Sequence, residues 1–208
     1  VVGVPSASER LGETVLPGTL FRVVGSARGA ILLPGFGEDR TDFQDLVVAL
    51  GNAGFNALSI DWRGSTEGDD WSEPLQQRYL GRDRTLFEGL EDDVVAAQQF
   101  LVEAGGCDPS EIVLIGSGVG GSIACWTARA ATEFRALVWL SPNRRYLGLE
   151  VASSLDRLRD VRALLVPVEG AIGEVETAEA FAANWPDGGA DVRRVEGTYD
   201  TSHGVRAL

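Results

Sequence analysis

The sequence predicts an α/β protein with a mostly parallel central sheet and helices on both faces. Three observations carry that expectation. Short strand-like runs recur along the chain, at 30–33, 55–60, 112–115, 136–140 and 163–168. Stretches whose apolar residues follow a helical spacing lie between them, and this alternation is the mark of strand–helix–strand units. The run Ile112–Ile115 also passes straight into Gly116-Ser117-Gly118-Val119-Gly120-Gly121 and a small-residue helix start. A buried strand turning tightly into a helix N-terminus can expose a nucleophile or cradle an anion.

Taken in order, residues 1–18 read as an irregular N-terminal segment with Pro5 and Pro17 as breakers. Thr19–Val24 alternates weakly and suits an edge strand. Ala30–Leu33 is wholly apolar and ends at Pro34-Gly35, so it reads as a buried strand running into a glycine-rich loop, Pro34-Gly35-Phe36-Gly37-Glu38-Asp39. Apolar residues at 43, 46, 47 and 50 give a helix that Gly54 ends. Phe55–Ile60 is the next strand and leads into Asp61-Trp62-Arg63-Gly64. Residues 64–84 are polar and irregular, long enough for a functional loop or cap. Leu86–Glu103 places Leu86, Leu90, Val94 and Ala97 on one helical face, and Gly105-Gly106 stops it. Beyond the central turn and its helix come a strand at Ala136–Leu140, mixed helix at Leu155–Val161 and a strand at Ala163–Val168. A helix at Thr177–Trp185 is stopped by Pro186, and a short strand at Val192–Val195 precedes Thr201-Ser202-His203-Gly204.

The 208 residues fit a single domain, 1–208, with a real core. A net charge of −13 repels nucleic acid and anionic membrane, so neither is an expected partner. All 18 basic residues are Arg, which removes lysine chemistry and a Walker-type phosphate loop. Cys107 and Cys125 make no disulfide framework, and one His with no paired-Cys spacing gives no zinc site. No metal and no cofactor are expected. There is no signal-peptide pattern and no apolar run of spanning length, so a cytoplasmic location is favoured and export stays open. The oligomeric state is not legible.

The central turn admits two readings. Gly116-x-Gly118-x-x-Gly121 matches a dinucleotide fingerprint, but no acid ends the following strand, Trp139-Leu140-Ser141-Pro142-Asn143, to take a ribose. The other reading comes from the chain as a whole. Leu33 to Asp39 stands where His-Gly-x-Gly would follow a first buried strand. Asp61-Trp62-Arg63-Gly64 resembles Asp-x-Arg-Gly, and Gly116 to Gly121 resembles Gly-x-Ser-x-Gly-Gly with Gly118 at the serine position. Leu140-Ser141-Pro142 and Ser202-His203-Gly204 fit the next strand end and a catalytic His loop. In these residues, from about Gly29 onward, the chain resembles the α/β-hydrolases of the small bacterial esterase or dienelactone-hydrolase-like kind.

That resemblance implies a Ser–His–acid triad with the serine at the middle of the elbow. Here the middle position is Gly118, which has no oxygen to attack a carbonyl and which relaxes a strained turn. Pro34 replaces the family His. The turn after the 163–168 strand puts Ala171 or Ile172 where the acid belongs, leaving Glu169 as the alternative acid. His203, the sole His, stands as relic or base. The family adds a helix after its histidine, whereas five residues follow His203, so a truncated or divergent form is expected. Ser117 is the alternative nucleophile, one residue early. On an extended segment that shift points a side chain to the opposite face, so packing beside the turn is the plainer expectation. Ser122 falls inside the helix.

By resemblance the oxyanion donors are the backbone N–H groups of Phe36 and Val119, which survive side-chain loss. Asp61 and Arg63 read as a structural ion pair or turn cap. Glu88, Glu91, Asp92 and Asp93 suit a helix start. Trp62 and Trp71 suit a pocket wall or the core equally. The function expected is a catalytically degenerate protein that binds a small ligand or a partner in the former pocket. The alternatives are an active ester or lactone hydrolase with a displaced or mutated nucleophile, and a dinucleotide binder.

Overall fold

The computed structural model describes residues 1–65, 73–130, 133–146 and 149–196. Trp71, part of the 64–84 stretch and His203 with its loop lie outside the described residues. In order, the elements are β1 (Val2–Ser8), β2 (Gly12–Phe21), β3 (Gly29–Leu33), α1 (Gln44–Asn52), β4 (Asn56–Ile60), α2 (Glu73–Leu80), α3 (Arg84–Gly89) and α4 (Glu91–Gly105). They continue with β5 (Ile112–Ser117), α5 (Val119–Arg129), β6 (Ala136–Leu140), β7 (Arg145–Tyr146), β8 (Leu149–Glu150), β9 (Arg162–Val166), β10 (Val168–Glu169), α6 (Glu174–Asn184), β11 (Ala190–Val192) and β12 (Val195–Glu196).

The main sheet has eight strands in the order β1-β2-β4-β3-β5-β6-β9-β11. β1–β2 and β2–β4 pair antiparallel, and all other neighbours pair parallel. The side-chain alternation of β3 divides the core. Ile31 and Leu33 pack with α4 and α5 residues such as Val94, Leu101 and Ile123, while Ala30 and Leu32 pack with Phe43 and Val47 at α1. Helices therefore cover both faces, as a parallel sheet with apolar residues on each side demands.

The N-terminal expectation is overturned. Residues 1–18 are not irregular but form a hairpin, with Val2 opposite Gly18 and Ser8 opposite Gly12. Its inward positions are Val4, Ser6 and Ser8, so polar serines hide the alternation. Those serines are satisfied inside. Ser6 Oγ donates to Asp93 Oδ1 at 2.6 Å, and Ser8 Oγ donates to Asp92 Oδ2 at 2.5 Å. The prolines fit because Pro5 lies on the edge strand, where a missing N–H breaks no second ladder. Pro17 precedes the β4-paired part of β2 and contributes its carbonyl, which accepts the Asp61 N–H at 2.9 Å.

Other boundaries shift as well. The 64–84 stretch is not wholly irregular, since it contains α2, whose polar composition masks its period. The single helix expected over 86–103 is two. Leu90 caps both α3 and α4, with Leu90 N–H on Phe87 O and Asp93 N–H on Leu90 O, while Leu86, Leu90, Val94 and Ala97 stay on the buried face. Gly106 ends α4 at a φ of 71°, the left-handed conformation that a C-terminal glycine supplies. A 3₁₀ turn over Ala152–Arg157 stands where mixed helix was expected. The last strand divides into β11 and β12 around Arg193-Arg194. Among the described residues no helix is long and apolar enough to cross a membrane.

Candidate active site

The glycines of the central turn fit it by shape. Gly116 faces the start of α5, where a Cβ would lie 2.3 Å from the Gly121 nitrogen. A Cβ on Gly120 would lie 2.3 Å from the Leu33 carbonyl oxygen, and one on Gly121 would enter the Trp139 indole at 1.9 Å. These three glycines let β5, α5, β3 and Trp139 close on one another. That packing accounts for two of the three glycines that the dinucleotide reading relied on, Gly116 and Gly121.

Gly118 differs in kind. It joins β5 to α5 with φ 48° and ψ −113°, a conformation costly for a residue with a Cβ. Its N–H donates to Leu140 O at 2.8 Å, and its carbonyl accepts the Trp139 indole N–H at 2.9 Å, so both sides of the turn are pinned. Among the described residues, a Cβ built here meets nothing within 4 Å beyond its chain neighbours. The position expected for a nucleophile is thus the one glycine of this turn whose Cβ direction no described residue blocks.

The loop after β3 lies beside this turn and is fastened from β4. Trp62 Nε1 donates to the Pro34 carbonyl at 2.7 Å, and Trp62 is buried, which settles its place as core. The Arg40 N–H donates to Asp61 Oδ1 at 2.7 Å, and the Arg40 guanidinium pairs with the same carboxylate. Burial pushes the Asp61 carboxyl above its ordinary range, against the lowering pull of Arg40. Phe36 stacks on Tyr79 at 5.3 Å, Tyr79 stacks on Phe87 at 5.5 Å, and the Arg82 guanidinium lies 4.5 Å over the Phe36 ring. Val119, the first residue of α5, has an N–H without an intrahelical acceptor. Among the described residues the Phe36 N–H has no backbone acceptor either.

Asp61 and Arg63 do not pair with each other, contrary to the ion pair that their adjacency suggests. Asp61 takes Arg40. Arg63 lies inward, donating from Nε to both Asp93 oxygens, from Nη1 to Gly12 O and from Nη2 to Ser6 Oγ. Burial raises the Asp93 carboxyl while Arg63 opposes it. Asp93 therefore serves the hairpin as well as standing in the first turn of α4.

Ser117 is 1% exposed, and its hydroxyl donates to Glu38 Oε1 at 2.9 Å. It packs beside the turn rather than at its tip. Ser122 is fully buried in α5, with Asn143 Oδ1 at 3.4 Å. Glu169 lies at the surface, where Arg194 stands 4.0 Å away and pairs more closely with Glu179. A groove of about 790 Å³ lies away from Gly118, between the Ala152–Arg157 turn and α6, and includes Leu155 and Phe181 in its wall.

The residue that sequence reasoning missed is Glu38. Its Oε2 accepts the Gly35 N–H at 2.7 Å while Oε1 accepts from Ser117, so one carboxylate ties the loop to the turn. An acid in a glycine-rich loop was the available signal, but nothing in sequence spacing places residue 38 beside residue 117.

Comparison with known proteins adds three findings. The model of the alpha/beta hydrolase family matches residues 30–205. Uncharacterized proteins from two strains of Mycobacterium tuberculosis are 28% identical over 185 residues, covering 81% of this chain and 59% of their own length. The chain thus spans about three-fifths of the curated relatives it matches. Among solved structures, a dienelactone hydrolase from Anabaena variabilis has TM-score 0.69 at 20% identity, covering 96% of this chain and 88% of that one. A putative dienelactone hydrolase from Klebsiella pneumoniae has TM-score 0.68 at 15% identity, with coverage of 96% and 88%. An esterase from Pyrococcus furiosus has TM-score 0.70 at 17% identity, with coverage of 94% and 81%. At these identities the likeness is one of fold.

Proposed function

This chain belongs to the α/β-hydrolase family, and we propose that its elbow binds a small carbonyl-bearing ligand without the covalent serine route. One observation carries this reading. The elbow tip is Gly118, which has no side chain to form an acyl-enzyme, and no described residue fills its Cβ direction. The nearby hydroxyls do not replace it. Ser117 is buried and already donates to Glu38, and Ser122 is buried in α5. What remains is backbone. The N–H groups of Phe36 and Val119 are the donors a carbonyl oxygen would meet, and the positive end of α5 favours charge developing there.

The test is intact mass after exposure to a fluorophosphonate, paired with calorimetry using 4-phenylbutan-2-one, a ketone that cannot be hydrolysed. Unmodified protein that binds the ketone is the expected result. An adduct at Ser117 or Ser122 would establish a displaced nucleophile and overturn the reading, as would folded protein with no ketone binding.

A further inference from the structure

We infer that Glu38 is a general base for direct attack of water on a carbonyl held at the Gly118 turn. The inference rests on the elbow as a carbonyl site and goes beyond it by assigning a reaction. Its geometric basis is the double tether of the Glu38 carboxylate, to Gly35 N–H at 2.7 Å and Ser117 Oγ at 2.9 Å. Gly35 makes room for it. A Cβ at residue 35 would lie 2.9 Å from Glu38 Oε2 and 3.2 Å from Ser117 Oγ, so a larger residue would push the carboxylate off the serine. The loop is therefore shaped to hold an acid against the residue that precedes the elbow tip. Glu38 itself is half-buried, while Ser117 is 1% exposed. The serine anchors the carboxylate and each carboxylate oxygen keeps a second lone pair, because each can accept more than one bond.

Gly118 supplies the other half. Where a serine would place its hydroxymethyl group, no atom of the described residues beyond the chain neighbours lies within 4 Å, and one of those neighbours is Ser117, the carboxylate's anchor. In the proposed step a water in that space gives a proton to Glu38, and its oxygen forms a bond to the acyl carbon of an ester. The carbonyl electron pair moves onto oxygen, facing the Phe36 and Val119 N–H groups. Collapse of the tetrahedral species re-forms the carbonyl and breaks the bond to the leaving alkoxide, which takes the proton back from Glu38. Water and ester become carboxylic acid and alcohol, with Glu38 regenerated and no acyl-enzyme.

The test compares the intact chain with Glu38→Gln and Gly35→Ala, using p-nitrophenyl acetate as substrate. The expected result is slow, burst-free release with a normal solvent deuterium isotope effect. Glu38→Gln lowers kcat about 100-fold or more, the usual range for a general base, while ketone affinity measured by calorimetry stays unchanged. Gly35→Ala lowers kcat by displacing the carboxylate, and Glu38→Asp, which keeps a base, retains more turnover than Glu38→Gln at matched thermal stability. Ketone binding without turnover above buffer would overturn the Glu38 role and leave the carbonyl-site reading standing. So would a Glu38→Gln variant with the parent's rate and isotope effect, whereas loss of ketone binding by the parent would overturn both.

Discussion

Gly118 holds a backbone conformation that most residues avoid, and no described residue fills the space its side chain would take. Those two facts pull apart under substitution. Gly118→Ser meets no steric obstacle among the described residues but takes on the turn's strain, so the variant folds and loses about 1–3 kcal/mol in chemical denaturation. Its neighbours behave oppositely. Gly120→Ala drives a methyl group into the Leu33 and Pro34 carbonyls, so it should destabilise more than Gly118→Ser. Finding the reverse order would mean the turn is not closed as described. This contrast was only half legible in the sequence. The spacing marks a glycine turn, but the division between packed and open glycines depends on β3 and Trp139, which lie far away along the chain.

At the scale of elements, two locks hold the site's framework. Trp62 fastens the loop that carries Phe36 and Glu38 through its indole N–H on Pro34 O. Trp62→Phe keeps most of the buried ring area but leaves that carbonyl without its donor, so a loss of about 1–3 kcal/mol is expected by denaturant titration. The second lock is Arg63 on Asp93, Ser6 and Gly12, which binds the N-terminal hairpin to α4. Arg63→Met strands a buried carboxylate and should cost about 3–5 kcal/mol, and Asp93→Asn in the same chain should recover part of that loss. Strands buried on both faces were readable because their apolar runs need no knowledge of the partner. The hairpin was not, because its inward serines look like surface residues until Arg63 and Asp93 are seen between them. The missed break at Leu90 has the same origin. Its apolar face continues through the break, so periodicity alone reports one helix.

The whole molecule carries a net charge of −13, which makes the folded chain repel itself. Its thermal midpoint should rise as salt is added from about 0.01 M to about 0.15 M, where the Debye length falls from about 30 Å to about 8 Å. A flat or falling midpoint would show that exposed pairs such as Arg84–Glu88 and Arg194–Glu179 outweigh the self-repulsion. Both cysteines are buried free thiols. Burial pushes the Cys125 thiol up to about 12 and raises Cys107 as well. Neither should react with a thiol reagent at pH 8 until the chain unfolds, a point settled by mass after labelling with and without denaturant.

Sequence by itself determined the α/β class, the order of the parallel strands' apolar runs, the glycine turn and the absence of a serine at its tip. Each of these is written locally, in composition, period or a single residue type. Tertiary structure alone decided which carboxylate meets which partner. It placed Asp61 on Arg40 and Arg63 on Asp93, and it set Glu38 between Gly35 and Ser117. Pairing across such separations depends on how β3, β4, β5 and α4 are brought side by side, and no local signal in the chain encodes that neighbourhood.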